Sequence, residues 1–125
     1  MRNISRNTLL ITSFVFITLF ILSGQCSSKT SYGQMPTADT KQVQVKDILS
    51  KEYVGKEVKL IGRITLECGS GCWFNLEDET GKIFIDLSPS NFAIPQWVGK
   101  TVIVNGKVVE DGGDVKMIAK GVTLK

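Results

Sequence analysis

The 125-residue chain contains no histidine. That absence excludes a Ser-His-Asp or Cys-His catalytic set, a His-ligated haem, a zinc-activated water held by imidazoles and a histidine pH switch. Cysteine is sparse, at three residues. An excess of one charge sign is missing from the part that can fold. The net charge of +3 comes from Arg2, Arg6 and Lys29, and without them residues 31–125 carry twelve basic and twelve acidic side chains. Proteins that live on phosphate backbones carry a basic stripe, because counterion release drives their binding. This chain has no such surplus. Catalytic pairings are missing too. Asp78, Glu79, Asp111 and Asp114 read as solvated turn residues, Gly112-Gly113 lacks the pattern of a phosphate loop, and no nucleophile stands with a base. A non-enzyme without a cofactor is expected.

What is present is enough for one domain. Hydrophobic residues make up 42% of the chain, with two Trp, two Tyr and six Phe to fill a small core. Arg2 and Arg6 precede a 14-residue apolar run over 9–22, LLITSFVFITLFIL, and small polar residues follow it. This order describes a secretory signal. The run is short of the roughly 20 apolar residues of a spanning helix, so retention as an uncleaved anchor is the second reading. Ser23-Gly24-Gln25-Cys26 resembles a bacterial lipoprotein signal, with Ser23 and Gln25 departing from the usual residues at their places. Acylation of Cys26 would leave Cys68 and Cys72 as a pair, with no stray thiol in an oxidising compartment. Residues 26–40, rich in Ser, Thr, Gly and Pro, read as a flexible tether with a reach of roughly 20 Å. The expected organisation is a signal or anchor over 1–25, the tether, and a domain over 41–125.

Within that domain Val45, Ile48, Leu49 and Tyr53 share one face of a short helix ending at Gly55. The period then changes to two. Val58, Leu60, Ile64 and Leu66 alternate with charged residues as a half-buried strand. Residues 72–77 and 82–87 follow as two strands around Asp78-Glu79-Thr80-Gly81, where Gly supplies the turn. Two prolines limit 88–99 to a single helical turn. Residues 101–109 and 115–124 complete five strands, linked through Asp111-Gly112-Gly113-Asp114. Tyr53-Val-Gly-Lys-Glu-Val-Lys-Leu-Ile-Gly-Arg-Ile is echoed 44 residues later by Trp97-Val-Gly-Lys-Thr-Val-Ile-Val-Asn-Gly-Lys-Val. The echo predicts that strands one and four are entered alike. Gly62 and Gly106, at inward positions, mark bulges or tight bends where a small sheet curls.

Five strands, a connector after the third and curling glycines predict an all-β, five-stranded Greek-key barrel with a short N-terminal helix. Through Val58-Lys-Leu-Ile-Gly-Arg-Ile, Asn75-Leu-Glu-Asp-Glu-Thr-Gly-Lys-Ile-Phe-Ile-Asp and Val102-Ile-Val-Asn-Gly-Lys-Val the sequence resembles the OB-fold over about residues 53–124. The Cys-x-x-Gly-Cys-Trp run resembles a group of uncharacterised bacterial exported OB-like domains. That resemblance implies an extracytoplasmic accessory domain and gives neither thiol a catalytic role.

Cys68 ends the first strand and Cys72 opens the second. A three-residue hairpin loop sets its flanking residues opposite each other, and Cα atoms about 4.5–5.5 Å apart are within reach of a disulfide. Closing so short a loop contributes only roughly 2 kcal/mol. Three chemistries compete for the pair. A structural disulfide suits an exported chain best. A redox-active dithiol comes second, because no helix N-terminus follows Cys68 and Glu67 beside it should raise the thiol pKa. A Cu(I) site at Cys68 and Cys72 comes third, since two thiolates suit that ion, with Met117 available to help. Zinc prefers four ligands.

Trp73, Asn75 and Glu77 share one strand face, and Phe84 and Asp86 share the matching face of the next. OB-folds bind ligands over these strands and the first interstrand loop, so Trp73, Asn75 and Phe84 are the expected contacts. Aromatic platforms there also hold single-stranded nucleic acid, but Glu77, Asp78, Glu79 and Asp86 repel a phosphate chain. The expectation is an exported, membrane-attached monomeric module binding a peptide or small molecule. A single-strand nucleic-acid binder and a thiol redox or Cu(I) carrier are the alternatives.

Overall fold

The computed structural model describes residues 29–125, in which alternating apolar residues pair into seven strands. Cys26 and the apolar run over 9–22 lie outside the described residues. In chain order the elements are β1 (Ser31–Gly33), β2 (Lys41–Gln42), α1 (Val45–Leu49), β3 (Glu57–Glu67), β4 (Trp73–Asp78), β5 (Gly81–Asp86), a 3-10 turn (Ser88–Ser90), β6 (Thr101–Asp111) and β7 (Asp114–Leu124). Five of them close a barrel. β3 pairs with β4, β4 with β5, and β6 with both β7 and β3, all antiparallel, while β5 meets β7 in parallel. This is the five-stranded OB-like barrel that the alternation predicts. Its interior is filled by Val58, Leu60, Ile64, Phe74, Leu76, Ile85, Val102, Val104 and Met117, all at or near zero exposure. Among the described residues no helix is long and apolar enough to cross a membrane.

The repeated sequence produces a repeated geometry. Gly55 and Gly99 both take positive φ, 83° and 84°. Gly55 N–H donates to the Val108 carbonyl at 2.8 Å, and Gly99 N–H donates to the Ile64 carbonyl at 2.8 Å. Val108 is the echo of Ile64, so each copy lays its entry turn on the other copy's strand. β3 and β6 pair around Leu60 and Val104, with Gly62 opposite Val102 and Val58 opposite Gly106. The two copies are thus related by a local two-fold.

Three expectations change. The helix stops at Leu49, because Ser50 caps it and Lys51 turns left-handed at φ 66°. Neither residue is the Gly or Asn that normally announces a stop, and Leu49 is left largely exposed. Second, β3 slips register between Ile64 and Leu66. The bulge reverses the side-chain parity, so Leu66 turns outward at 53% exposure. Gly106 does sit at a bulge, against β7. At Gly62 the cause is close approach, since a Cβ there would lie 2.7 Å from the Glu77 carbonyl oxygen. Third, the stretch read as a tether docks on the barrel from Thr30. β1 pairs with the β7 edge, and Tyr32 meets Trp97 edge-on with ring centroids 5.5 Å apart. A three-residue strand has no readable period. Only an open edge on β7 makes it a strand.

Candidate functional site

The bulge in β3 and the turn after it place the chemistry at one rim of the barrel. With parity reversed, the Glu67 carboxylate accepts the Trp97 N–H at 2.8 Å, while its other oxygen is buried without a partner. Burial raises the Glu67 pKa against the lowering effect of the Trp97 and Val98 N–H groups. Cys68 N–H donates to the Trp73 carbonyl at 3.0 Å. Cys68 is therefore matched with Trp73 rather than with Cys72, as the three-residue loop had suggested, and Cys72 belongs to the turn. Gly71 N–H closes that turn on the Cys68 carbonyl at 2.8 Å.

The two sulfurs nonetheless meet. Their Sγ atoms lie 3.0 Å apart with no bond between them, Cys72 on the donor side of the contact with Cys68. The Ser70 hydroxyl lies between them, 3.2 Å from Cys68 Sγ and 3.5 Å from Cys72 Sγ. The Cys72 thiol, the Ser70 hydroxyl and the Ser70 backbone N–H together lower the Cys68 pKa to about 7. This corrects the expectation that Glu67 would raise it. Glu67 is committed to Trp97, and the donors come from the turn itself. Met117 points into the barrel and is fully buried, so it is no third ligand beside the sulfurs. Among the described residues no three Cys, Asp or Glu side chains gather as a metal site.

The loop is braced from behind. Gly71 is buried at φ 71°, and a Cβ there would collide with the Ile94 carbonyl. Ile94 N–H donates to the Gly71 carbonyl at 3.2 Å, and Gln96 Nε2 donates to the Cys68 and Gly69 carbonyls at 3.0 and 3.2 Å. Residues 94–97 hold the turn by its backbone, leaving both thiols partly exposed.

Beside the loop lies the outer face of β4 and β5. Trp73 is opposite Asp86, Asn75 opposite Phe84 and Glu77 opposite Lys82. Trp73 and Phe84 rings stack at 5.4 Å with a 31° tilt. Leu66, opposite Asn75 on β3, extends this apolar face; only the bulge brings it there, so strict alternation hid it. At the other flank the β6–β7 hairpin and Phe84 line a depression of about 320 Å³ with Asp111, Asp114, Val115 and Lys116. Lys116 pairs with Asp86 and Asp111 at 3.5 and 3.6 Å. Four carboxylates against Lys82 and Lys116 make this surface acidic. Trp73, Asn75 and Phe84, chosen from parity, thus lie on one outward face, with the Cys68–Cys72 loop beside Trp73.

Solved structures share this architecture. The chain is similar to the hypothetical protein YgiW from E. coli, at 19% identity and a TM-score of 0.53, over 75% of this chain and 100% of that one. It is also similar to asparaginyl-tRNA synthetase from Pyrococcus horikoshii, at 19% identity and a TM-score of 0.53. That match takes in 66% of this chain but only 22% of the synthetase. At such identities the likeness establishes the OB-fold and nothing of the activity. No protein-family profile matches the chain, and no curated protein matches its sequence.

A second opening, about 400 Å³, lies between the start of α1 and β3 and includes Gln44, Arg63, Asp78 and Glu79. Asp78 is already occupied there. Its carboxylate accepts the Val45 N–H at 2.8 Å, the Thr80 N–H at 2.7 Å, the Thr80 hydroxyl at 2.6 Å and the Gly81 N–H at 3.2 Å. Burial opposes its charge, but these bonds outweigh burial and hold the Asp78 pKa below its usual value. Asp78 ties the β4–β5 turn to α1, a structural task the sequence did not disclose.

Proposed function

We propose that this chain is an exported, membrane-tethered OB-like module that binds a peptide or small molecule on the outer face of β4 and β5. One observation carries the reading: the stacked Trp73 and Phe84 rings lie outward between two loops, on the surface OB-folds use for ligands. The acidic surround favours a ligand that presents a flat apolar group with a neutral or positive charge, because Glu77, Asp86, Asp111 and Asp114 repel a phosphate chain. Asn75 supplies a polar contact within the apolar face. The role is recognition rather than hydrolysis or group transfer. Arg2, Arg6 and the apolar run support export, and Cys26, or retention of the run, supplies the membrane attachment. The Cys-x-x-Gly-Cys-Trp likeness to exported bacterial domains supports the same placement.

Tryptophan fluorescence tests the ligand class, since Trp73 is accessible and Trp97 is buried. A Trp-free peptide containing Arg and Phe should shift the emission, and Trp73→Ala should abolish the response. Salt-sensitive quenching by a single-stranded oligonucleotide would instead make this a nucleic-acid binder. Cys26→Ala should change the mass and membrane retention of the mature protein if that thiol is acylated; unchanged values would remove the lipid from the proposal.

A further inference from the structure

The turn between β3 and β4 is arranged unequally around its two sulfurs. Cys68 Sγ has Cys72 Sγ as a donor at 3.0 Å and the Ser70 hydroxyl at 3.2 Å, whereas the same hydroxyl stands farther from Cys72 Sγ, at 3.5 Å. Cys68 is therefore the sulfur whose negative charge the turn favours. The turn does not need to reorganise to do this. Gly71 is wedged against Ile94, and Gln96 holds two of the turn's carbonyls. Both sulfurs remain reachable from outside. As a staple the pair would contribute little, since the loop it closes is short.

We propose that Cys68 and Cys72 form a thiol–disulfide exchange site, in which Cys68 attacks an accessible disulfide and Cys72 resolves the intermediate. The proposal rests on the loop alone, so failure of ligand binding at Trp73 and Phe84 leaves it standing. The Cys68 thiolate, having released its proton to solvent, attacks one sulfur of R–S–S–R′. A Cys68–S–R bond forms and R′–S⁻ departs, taking a proton from solvent. Cys72 then loses its proton and attacks Cys68 Sγ, forming the Cys68–Cys72 bond and expelling R–S⁻. That thiolate accepts the proton Cys72 released. The protein has lost two electrons and two protons, and the partner disulfide has become two thiols. The reactant is a disulfide of a protein or small molecule presented at the rim beside Trp73.

The low Cys68 pKa agrees with this arrangement. At pH 6 a thiol of pKa near 7 is about 9% ionised, against about 0.3% at the ordinary value of about 8.5. The lower nucleophilicity of the weaker base removes about a factor of five from that roughly thirtyfold gain, so exchange should run about sixfold faster than at an ordinary thiol.

The test uses the full-length chain carrying Cys26→Ala, reduced and then mixed with glutathione disulfide. The parent should end as an intramolecular disulfide, two hydrogens lighter. Adding Cys72→Ala should instead accumulate a glutathione adduct on Cys68. Iodoacetamide alkylation of the reduced parent should inflect near pH 7, and Ser70→Ala should move that inflection upward. An inflection at pH 8.5 or above, or thiols that alkylate yet form neither adduct nor disulfide with glutathione, would overturn the proposal. The parent's pH profile depends on no substitution within the barrel.

Discussion

Replacing Gly71 with Ala should do more damage than the loss of a flexible residue implies. The residue sits at φ 71°, where an L side chain costs roughly 1–2 kcal/mol. The added methyl also meets the Ile94 carbonyl, so the 94–97 segment must retreat and give up the Ile94 N–H to Gly71 bond. Losing that bond costs about a further 1–1.5 kcal/mol. Gly99→Ala is the matched control. Its φ of 84° imposes a similar backbone penalty, but nothing lies within 4 Å of the new methyl. Urea unfolding should place the two midpoints about 0.5–1 M apart, for an m-value of about 1.5–2 kcal/mol/M, with Gly71→Ala the lower. The same substitution should loosen the turn around Cys68 and raise the pH at which that thiol alkylates. Equal midpoints for the two variants would refute the wedge, and with it the claim that residues 94–97 brace the sulfur loop.

Other expectations follow from the same contacts. Asp78→Asn should lower stability by about 1–2 kcal/mol at neutral pH, because charge-assisted bonds to three backbone N–H groups and a hydroxyl weaken together. The Asp78 pKa in the fold lies below its ordinary value of 3.8. Its contribution is therefore complete above that value and lost as the pH falls through the lower folded one, so acid denaturation curves should converge there. Glu67 has the opposite sign. Its pKa is raised above 4.5 in the fold, so its charge opposes folding at neutral pH and that cost disappears below about 4.5. Glu67→Gln should match or exceed the wild type in thermal melts at pH 7 and lose its advantage in acid. Tyr32→Ala removes the ring set against Trp97 and should free β1, which hydrogen exchange would read as faster exchange at the Leu124 amide, now bonded to the Thr30 carbonyl at 2.7 Å. Trp73→Phe should leave the emission of buried Trp97, blue-shifted from the wild-type spectrum.

The barrel was legible because its strands are long and one face of each is buried. Period two in β3, β6 and β7 and the glycine turns Asp78–Gly81 and Asp111–Asp114 specify which residues point inward, and the 44-residue echo specifies two matching entries. Outward placement of Trp73, Asn75 and Phe84 followed from parity alone. Other features depend on partners distant in sequence. Alternation carried unbroken through β3 turned Leu66 inward; the bulge, which answers to the register of β4, turns it out and frees Glu67 for Trp97. The helix stop at Lys51 and the short strand β1 carry no local signal, since each depends on tertiary surroundings.

Alternation and turn chemistry determine a closed five-stranded sheet and the strand face that carries its aromatics, because hydrophobic burial acts on every second residue. Only the folded chain decides the character of Cys68. A thiol's ionisation depends on which donors surround it in space, and here Ser70 and Cys72 are turned toward it by a glycine pressed against Ile94, more than twenty residues along the chain.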